Sequence, residues 1–258
     1  MSEKESAKSN SAFAQVNPNV SVDCVIFGFD GTDLKVLVIQ RKAKPDDNPK
    51  ESEFGLALPG NLVRDDESLD QAANRVLFEL TGLENIYLEQ FHTFGDPHRV
   101  KGSRDVEWLS RFRQNPDARV ITVAYYSLIK LPSFELEAGS DSFAKKPVWY
   151  SVNAVPGLGF DHNLIVNKAI EMLKEKMRFH PIGFELLPKK FTLTQLQKLY
   201  EVIIGKPLDK RNFRRRVLNY GFLVPQDEKQ TNVSHKPAML YKFNKKKYEQ
   251  FFRSDFDF

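Results

Sequence analysis

Between Asn61 and Leu83 the chain places Glu67, Arg75 and Glu79, residue types from which metal and phosphate chemistry is made. Positions 76, 79 and 80 are spaced i, i+3 and i+4, so on a helix they share one face. Three carboxylates there would hold Mg²⁺, a hard cation that takes oxygen ligands, against a diphosphate. This chain offers Glu79, flanked by Val76 and Leu80, whose side chains carry no oxygen. A lone carboxylate is a poor magnesium site, and the plainer use of Glu79 is an ion pair with Arg75 one turn earlier. Glu67 with Arg75 reads as a buried brace that shapes the loop. No metal site and no cofactor are expected, and hydrolysis is not the expected chemistry.

A helix must carry these residues, and its ends are signalled. Ser68 followed by Gln71 makes a capping box, and Leu69, Ala72, Ala73, Val76, Leu77 and Leu80 recur at helical spacing. Gly82 stands where a left-handed C-terminal residue is wanted. Around this helix, Val20 to Phe29 and Leu34 to Gln40 read as strands joined by the turn Asp30-Gly31-Thr32-Asp33. Arg41 to Ser52 reads as a polar loop, and Phe54 to Leu58 as a short strand ended by Pro59-Gly60. Ile86 to Phe94, Val120 to Lys130 and Trp149 to Val152 are further strands. Phe160 to Met177 is helical, with Asp161 or Asn163 as its cap. The stretch Val100 to Ala118 looks like an insertion, with a small surface helix expected over Asp105 to Arg113 and Trp108 packed on the domain.

At 258 residues the chain fits two modest domains. Expected are a disordered tail over residues 1–18, a first domain over 19–180 and a second over 181–258, with the boundary marked by prolines from Pro181 to Pro188. Residues 1–17 lack the apolar core of a secretory signal, and no apolar run approaches a membrane span. The single cysteine, Cys24, lies in the run VDCVIFGF and reads as a buried inert thiol, so a cytoplasmic setting is the default. Charge is unevenly spread. From Gly183 onward sixteen Lys and Arg face eight Asp and Glu, a net of +8, which leaves −4 for everything before it out of a total of +4. The basic back end is the candidate for nucleic acid.

That back end has its own pattern. Thr192 with Gln195 forms a capping box, Leu193, Leu196, Leu199, Tyr200 and Ile203 make a buried stripe, and Gly205-Lys206-Pro207 stops the helix. Asp209 caps a second helix on which Phe213, Val217 and Tyr220 fall on one face. Arg211, Asn212, Arg214 and Arg215 project largely the other way, flanked by Lys210 and Arg216. Two strands then enclose the polar loop Gln226 to Pro237, with Lys229, His235 and Lys236 in a wing. Two helices, a tight turn and a hairpin form a winged helix-turn-helix, and its Arg-rich helix can contact phosphates or read guanine. Lys245-Lys246-Lys247 reads as a basic tail that needs no function.

The stretch NLVRDDESLDQAANRVLFELTGL resembles a Nudix box, G-x5-E-x7-R-E-U-x-E-E-x-G-U, where U is a bulky aliphatic. Glu67, Arg75, Leu77, Glu79, Gly82 and Leu83 match it; Asn61 replaces the first Gly, and Val76 and Leu80 replace two glutamates. With ALPGNLVRDDESL, FHTFGDP, ARVITVAYYSL, FTLTQLQKLYEVIIGKPLDKRNFRRRVL and KPAMLYKF, the chain from about Asn19 to about Tyr248 is similar to the bacterial Nudix-related transcriptional regulators of the NrtR and AraR type.

The resemblance implies an α+β fold: a Nudix α/β/α sandwich with a mixed sheet, followed by a small winged helix-turn-helix. It implies a ligand-responsive regulator that binds a palindromic operator in duplex DNA as a homodimer, with no membrane. Its effector would be a small sugar or nucleotide-sugar, L-arabinose-like or ADP-ribose-like, held in a catalytically dead Nudix domain. Expected effector contacts are Arg41, Glu67, Arg75, Glu79, Asp96 and Arg99; expected DNA contacts are Lys210, Arg211, Asn212, Arg214, Arg215, Arg216 and Lys236. The alternative is an active hydrolase of ADP-ribose or a related nucleoside diphosphate derivative, with replacement carboxylates from Asp65, Asp66 or Asp96. RNA binding by the basic module is a third reading.

Overall fold

One long strand, Val16–Phe29 (β1), runs through the middle of a mixed sheet in the computed structural model. The structure describes residues 16–41, 55–100, 102–110, 115–139, 143–179, 182–231, 234 and 236–254. From Ser21 to Phe29 every residue of β1 is buried, because both faces of the sheet are covered and the strand reads as a near-continuous apolar run. β1 pairs antiparallel with Leu34–Arg41 (β2) across a turn in which Asp30 Oδ1 accepts from the amides of Thr32, at 2.8 Å, and Asp33, at 2.7 Å. It pairs parallel with Ile121–Lys130 (β6), in register from Val20 opposite Ile121 to Phe29 opposite Lys130. Leu56–Ala57 (β3) adds to β2, Gly60–Arg64 (β4) to β1, Glu89–Phe94 (β5) to β6, and Ala144–Ser151 (β7) to the outer side of β2.

Alternation along β1 sends Val22, Cys24 and Ile26 to one face and Val25, Phe27 and Phe29 to the other. Helix Leu69–Thr81 (α1) covers the first with Ala72, Ala73, Val76, Leu77 and Leu80. Helix His162–Phe179 (α3) covers the second with Ile165, Val166, Ala169 and Leu173. The same apolar cluster continues without a break into Leu196, Leu199 and Ile203 of Leu193–Ile204 (α4) and Phe213 and Val217 of Lys210–Asn219 (α5). A hairpin of Leu223–Lys229 (β8) and Met239–Phe243 (β9) and a last helix, Lys245–Ser254 (α6), complete the C-terminal part.

Several elements differ from expectation. β1 begins at Val16, inside the stretch read as tail, because Val16 pairs with Arg64 of β4. β4 lies over Gly60–Arg64, where no strand was expected. The helix expected over Asp105 to Arg113 is Ser103–Leu109 (α2), anchored by the fully buried Leu109, while residues 111–114 and the side chain of Trp108 lie outside the description. β5 starts three residues later than Ile86. β7 starts five before Trp149, since exposed Lys145 and Lys146 and the edge-strand Pro147 hide its pattern. The three lysines from Lys245 open α6, where Asn244 Oδ1 accepts from the Lys247 amide at 3.0 Å. Most of the polar loop, residues 42–54, and His235 lie outside the described residues. Among the described residues no helix is long and apolar enough to cross a membrane.

Candidate effector face and nucleic-acid interface

The loop entering α1 is held by a closed ionic network. Gln71 and Ser68 exchange both capping-box hydrogen bonds, and Gly82 ends the helix at φ 71°, so the helix is fixed at each end by local chemistry. One turn in, Arg75 reaches back to Glu67, with Nε donating to Oε2 at 2.7 Å and Nη2 to Oε1. Its Nη2 also donates to the Leu62 carbonyl at 3.1 Å, and Glu67 Oε1 accepts from the Arg64 amide at 2.8 Å. The hydrogen bonds from Arg75 hold the Glu67 carboxyl below its ordinary pKa. Glu79 is shared: Oε1 faces Arg64 Nη2 and Oε2 faces Arg75 Nη1, each at 3.0 Å. Val76 and Leu80 are buried in the core at 0% and 2% exposure. A magnesium ion needs several oxygen ligands and here meets one carboxylate already bound by two guanidinium groups, so these residues do not fit the cation.

A second polar cluster sits where β1, the loop after β5 and the start of α3 meet. Asp23, buried on β1, accepts from Thr122 Oγ1 at 2.6 Å. Arg99 donates bidentately to Asp161, Nε to Oδ2 at 2.9 Å and Nη2 to Oδ1 at 2.7 Å, and its Nη2 lies 3.7 Å from Asp23. His162 accepts from the Leu58 amide on Nδ1 at 2.9 Å and turns Nε2 toward Asp23 Oδ1 at 3.5 Å. Burial pushes the His162 pKa below its usual value, with Arg41 and Arg99 adding to the effect against Asp23 and Asp161. Arg41 is buried at the end of β2 with its guanidinium carbon 4.9 Å from the centre of the Phe160 ring. Burial pushes its pKa down to about 10, opposed by Asp105. Asp105 of α2 also accepts from the Phe160 amide at 3.0 Å, so the long loop folds back to brace the entry to α3.

The six expected effector residues therefore fall into three places. Arg41 and Arg99 share the cluster around His162; Glu67, Arg75 and Glu79 form the brace on α1; Asp96 is exposed at a turn, where its Oδ1 accepts from the His98 amide at 2.6 Å. Asp23, Thr122, Asp161 and His162 were missed as site residues. One signal existed, a single acid inside the apolar run VDCVIFGF. Of the two expected caps of α3, Asp161 stands at the N-cap position, its carbonyl accepting from the Ile165 amide at 3.1 Å, but its carboxylate goes to Arg99, and the Asn163 side chain joins the Pro156 carbonyl and the Leu158 amide.

On the C-terminal side α4 and α5 are each fixed by side-chain caps. Thr192 and Gln195 make a capping box, and Asp209 Oδ1 accepts from the Asn212 amide at 2.8 Å. Phe213 and Val217 are buried, while Lys210, Arg211, Asn212, Arg215 and Arg216 are exposed. Two residues depart from the expected faces. Tyr220 is 40% exposed and stacks on Phe222, and Arg214 is half-buried, turned toward α4. Exposed Lys229 and Lys236 flank the β8–β9 turn.

Residues 17–165 match the model of the NUDIX domain, and residues 183–243 that of the NrtR DNA-binding winged helix domain. The ADPR responsive transcriptional repressor NtrR of Acinetobacter baylyi is 31% identical over 237 residues, covering 90% of this chain and 85% of that protein. The crystal structure of Shewanella oneidensis NrtR complexed with a 27mer DNA is similar at a TM-score of 0.65 and 30% identity, over 89% of this chain and 95% of that one. A MutT/nudix family protein from Enterococcus faecalis is similar at a TM-score of 0.63 and 25% identity, over 88% of this chain and 86% of that one.

Proposed function

We propose that this chain, which belongs to the family of NUDIX proteins carrying an NrtR DNA-binding winged helix domain, is a transcriptional repressor that binds duplex DNA through α5 and responds to ADP-ribose. The observation that carries the reading is α5 itself. It is capped, packed by Phe213 and Val217, and left with Arg211, Asn212 and Arg215 facing solvent. Guanidinium groups on a rigid helix suit both phosphates and guanine edges. Of the effectors that the sequence left open, the name of the Acinetobacter relative favours ADP-ribose over a pentose. Arg41 and Arg99 stand as the proposed effector contacts, because they bring two guanidinium groups to one cluster; a diphosphate is the anion such a pair suits, and Arg99 would exchange Asp161 for it. A regulatory rather than hydrolytic role agrees with Val76 and Leu80 in the core. A homodimer on a palindromic site is part of the proposal, since a single α5 reads only a half-site.

Duplexes enriched from a random library by the full-length protein provide the test. Binding to the enriched sequence is expected to weaken steeply with salt. ADP-ribose is expected to shift that binding and to raise the melting temperature, and Arg41→Ala to remove both effects. Release of AMP from ADP-ribose with Mg²⁺, and no DNA preference, would return the chain to the hydrolases.

A further inference from the structure

Arg214 occupies a different place on α5 from its basic neighbours, and we propose that it anchors a backbone phosphate of the DNA while Arg211 and Arg215 are left to read bases. The inference rests on the DNA-binding reading above and divides the labour within it. At about 100° per residue, Arg214 falls beside the buried stripe of Phe213 and Val217. Arg211, Asn212 and Arg215 lie on the opposite side, all exposed, and Arg215 Nη2 donates to Asn212 Oδ1 at 3.1 Å. Arg214 turns instead to α4, where its Nη2 meets Thr194 Oγ1 at a long 3.4 Å. Its Nε is shielded from water and has no acceptor among the described residues.

An N–H of a cation withdrawn from water without an acceptor is costly. Once the side chain turns out from beside Thr194 and uncovers that N–H, an anion seated against α4 and α5 would supply the acceptor. The Nε–Nη2 edge of a guanidinium matches two oxygens of one phosphate. Thr194 is exposed in the first turn of α4, so its hydroxyl can donate to the same group, and the helix end favours negative charge there. Phosphate contacts set register and add affinity on any sequence; base contacts discriminate. The two classes of arginine should therefore fail differently when removed.

The probes are the duplex enriched by the wild-type protein and a base-scrambled duplex of equal length, titrated by fluorescence anisotropy between about 50 and 200 mM salt. Arg214→Ala is expected to weaken both duplexes by a similar factor. It should leave their affinity ratio unchanged and make the slope of log affinity against log salt shallower by about 0.9. Arg214→Lys, which keeps the charge, is expected to retain most of that slope. Arg215→Ala is expected to weaken the enriched duplex far more than the scrambled one, lowering the ratio by about tenfold. The proposal is overturned if Arg214→Ala changes neither affinity, or lowers the ratio as Arg215→Ala does. It is overturned too if Arg214→Lys loses as much as alanine and melts at a lower temperature, which would assign Arg214 to packing. A wild-type protein that enriches no sequence would instead sink the DNA-binding reading itself.

Discussion

Arg75 grips the Glu67 carboxylate along its guanidinium edge, eight residues back along the chain, and the pair is largely withdrawn from water at 14% and 11% side-chain exposure. Removing the arginine leaves a carboxylate in that place with no partner of matching shape. Arg75→Met is expected to destabilise the fold by about 2 to 3 kcal/mol, and Arg75→Lys to recover little because the two-donor edge is lost. Urea unfolding measures both. Because Glu67 has a depressed pKa when folded, its contribution is full above about pH 4.5 and is lost as pH falls through the folded value. Glu67→Gln should flatten that acid limb.

Val76 is fully buried against the sheet. Writing a carboxylate back at this position puts a charge in the core before it can meet a metal. Val76→Glu is expected to cost more than about 3 kcal/mol and to confer no magnesium-dependent turnover of ADP-ribose. An unchanged urea midpoint would show that this helix face opens to water and can present a carboxylate to a metal.

His162 holds the Leu58 amide on Nδ1 and so must be neutral there. Its folded pKa is lowered, chiefly by burial, while the unfolded imidazole protonates near pH 6.5. The stability it contributes is therefore full above about pH 6.5 and declines below it, by up to about 1.4 kcal/mol per pH unit. His162→Asn, whose Oδ1 can accept the same amide, is expected to flatten the fall in melting temperature between about pH 6.5 and 5. Parallel curves for the two proteins would place the acid sensitivity elsewhere.

Gly60 is tight against Asp23: an added Cβ would stand 1.8 Å from Oδ1 and 3.0 Å from the Val22 carbonyl. Asp23 cannot swing aside cheaply, since Thr122 and Arg99 hold its other oxygen and His162 faces the first. Gly60→Ala is expected to cost about 1 to 3 kcal/mol, read as a drop of several degrees in melting temperature. A melting temperature equal to the wild type's would mean the aspartate is looser than these contacts indicate.

Features written in neighbouring residues were legible from the sequence. Both capping boxes, Ser68 with Gln71 and Thr192 with Gln195, form as their three-residue spacing requires, and the Glu67–Arg75 brace follows from the same short range. The cluster at Asp23 was not legible, because its partners come from far along the chain; Thr122 alone is 99 residues away. Arg214 was misplaced for a subtler reason. Helical periodicity puts it on the margin between buried and exposed, and only the position of Thr194 across the turn decides which way the side chain goes.

Ile165, Ala169 and Leu173 of α3 belong to one apolar cluster with Leu196, Leu199 and Ile203 of α4. Neither half of the chain closes its own oil-tight surface. Transplanting the winged helix onto a foreign domain would wet an apolar strip on both pieces, so the chimera would stick to itself. The NUDIX domain and the winged helix are in this sense inherited together.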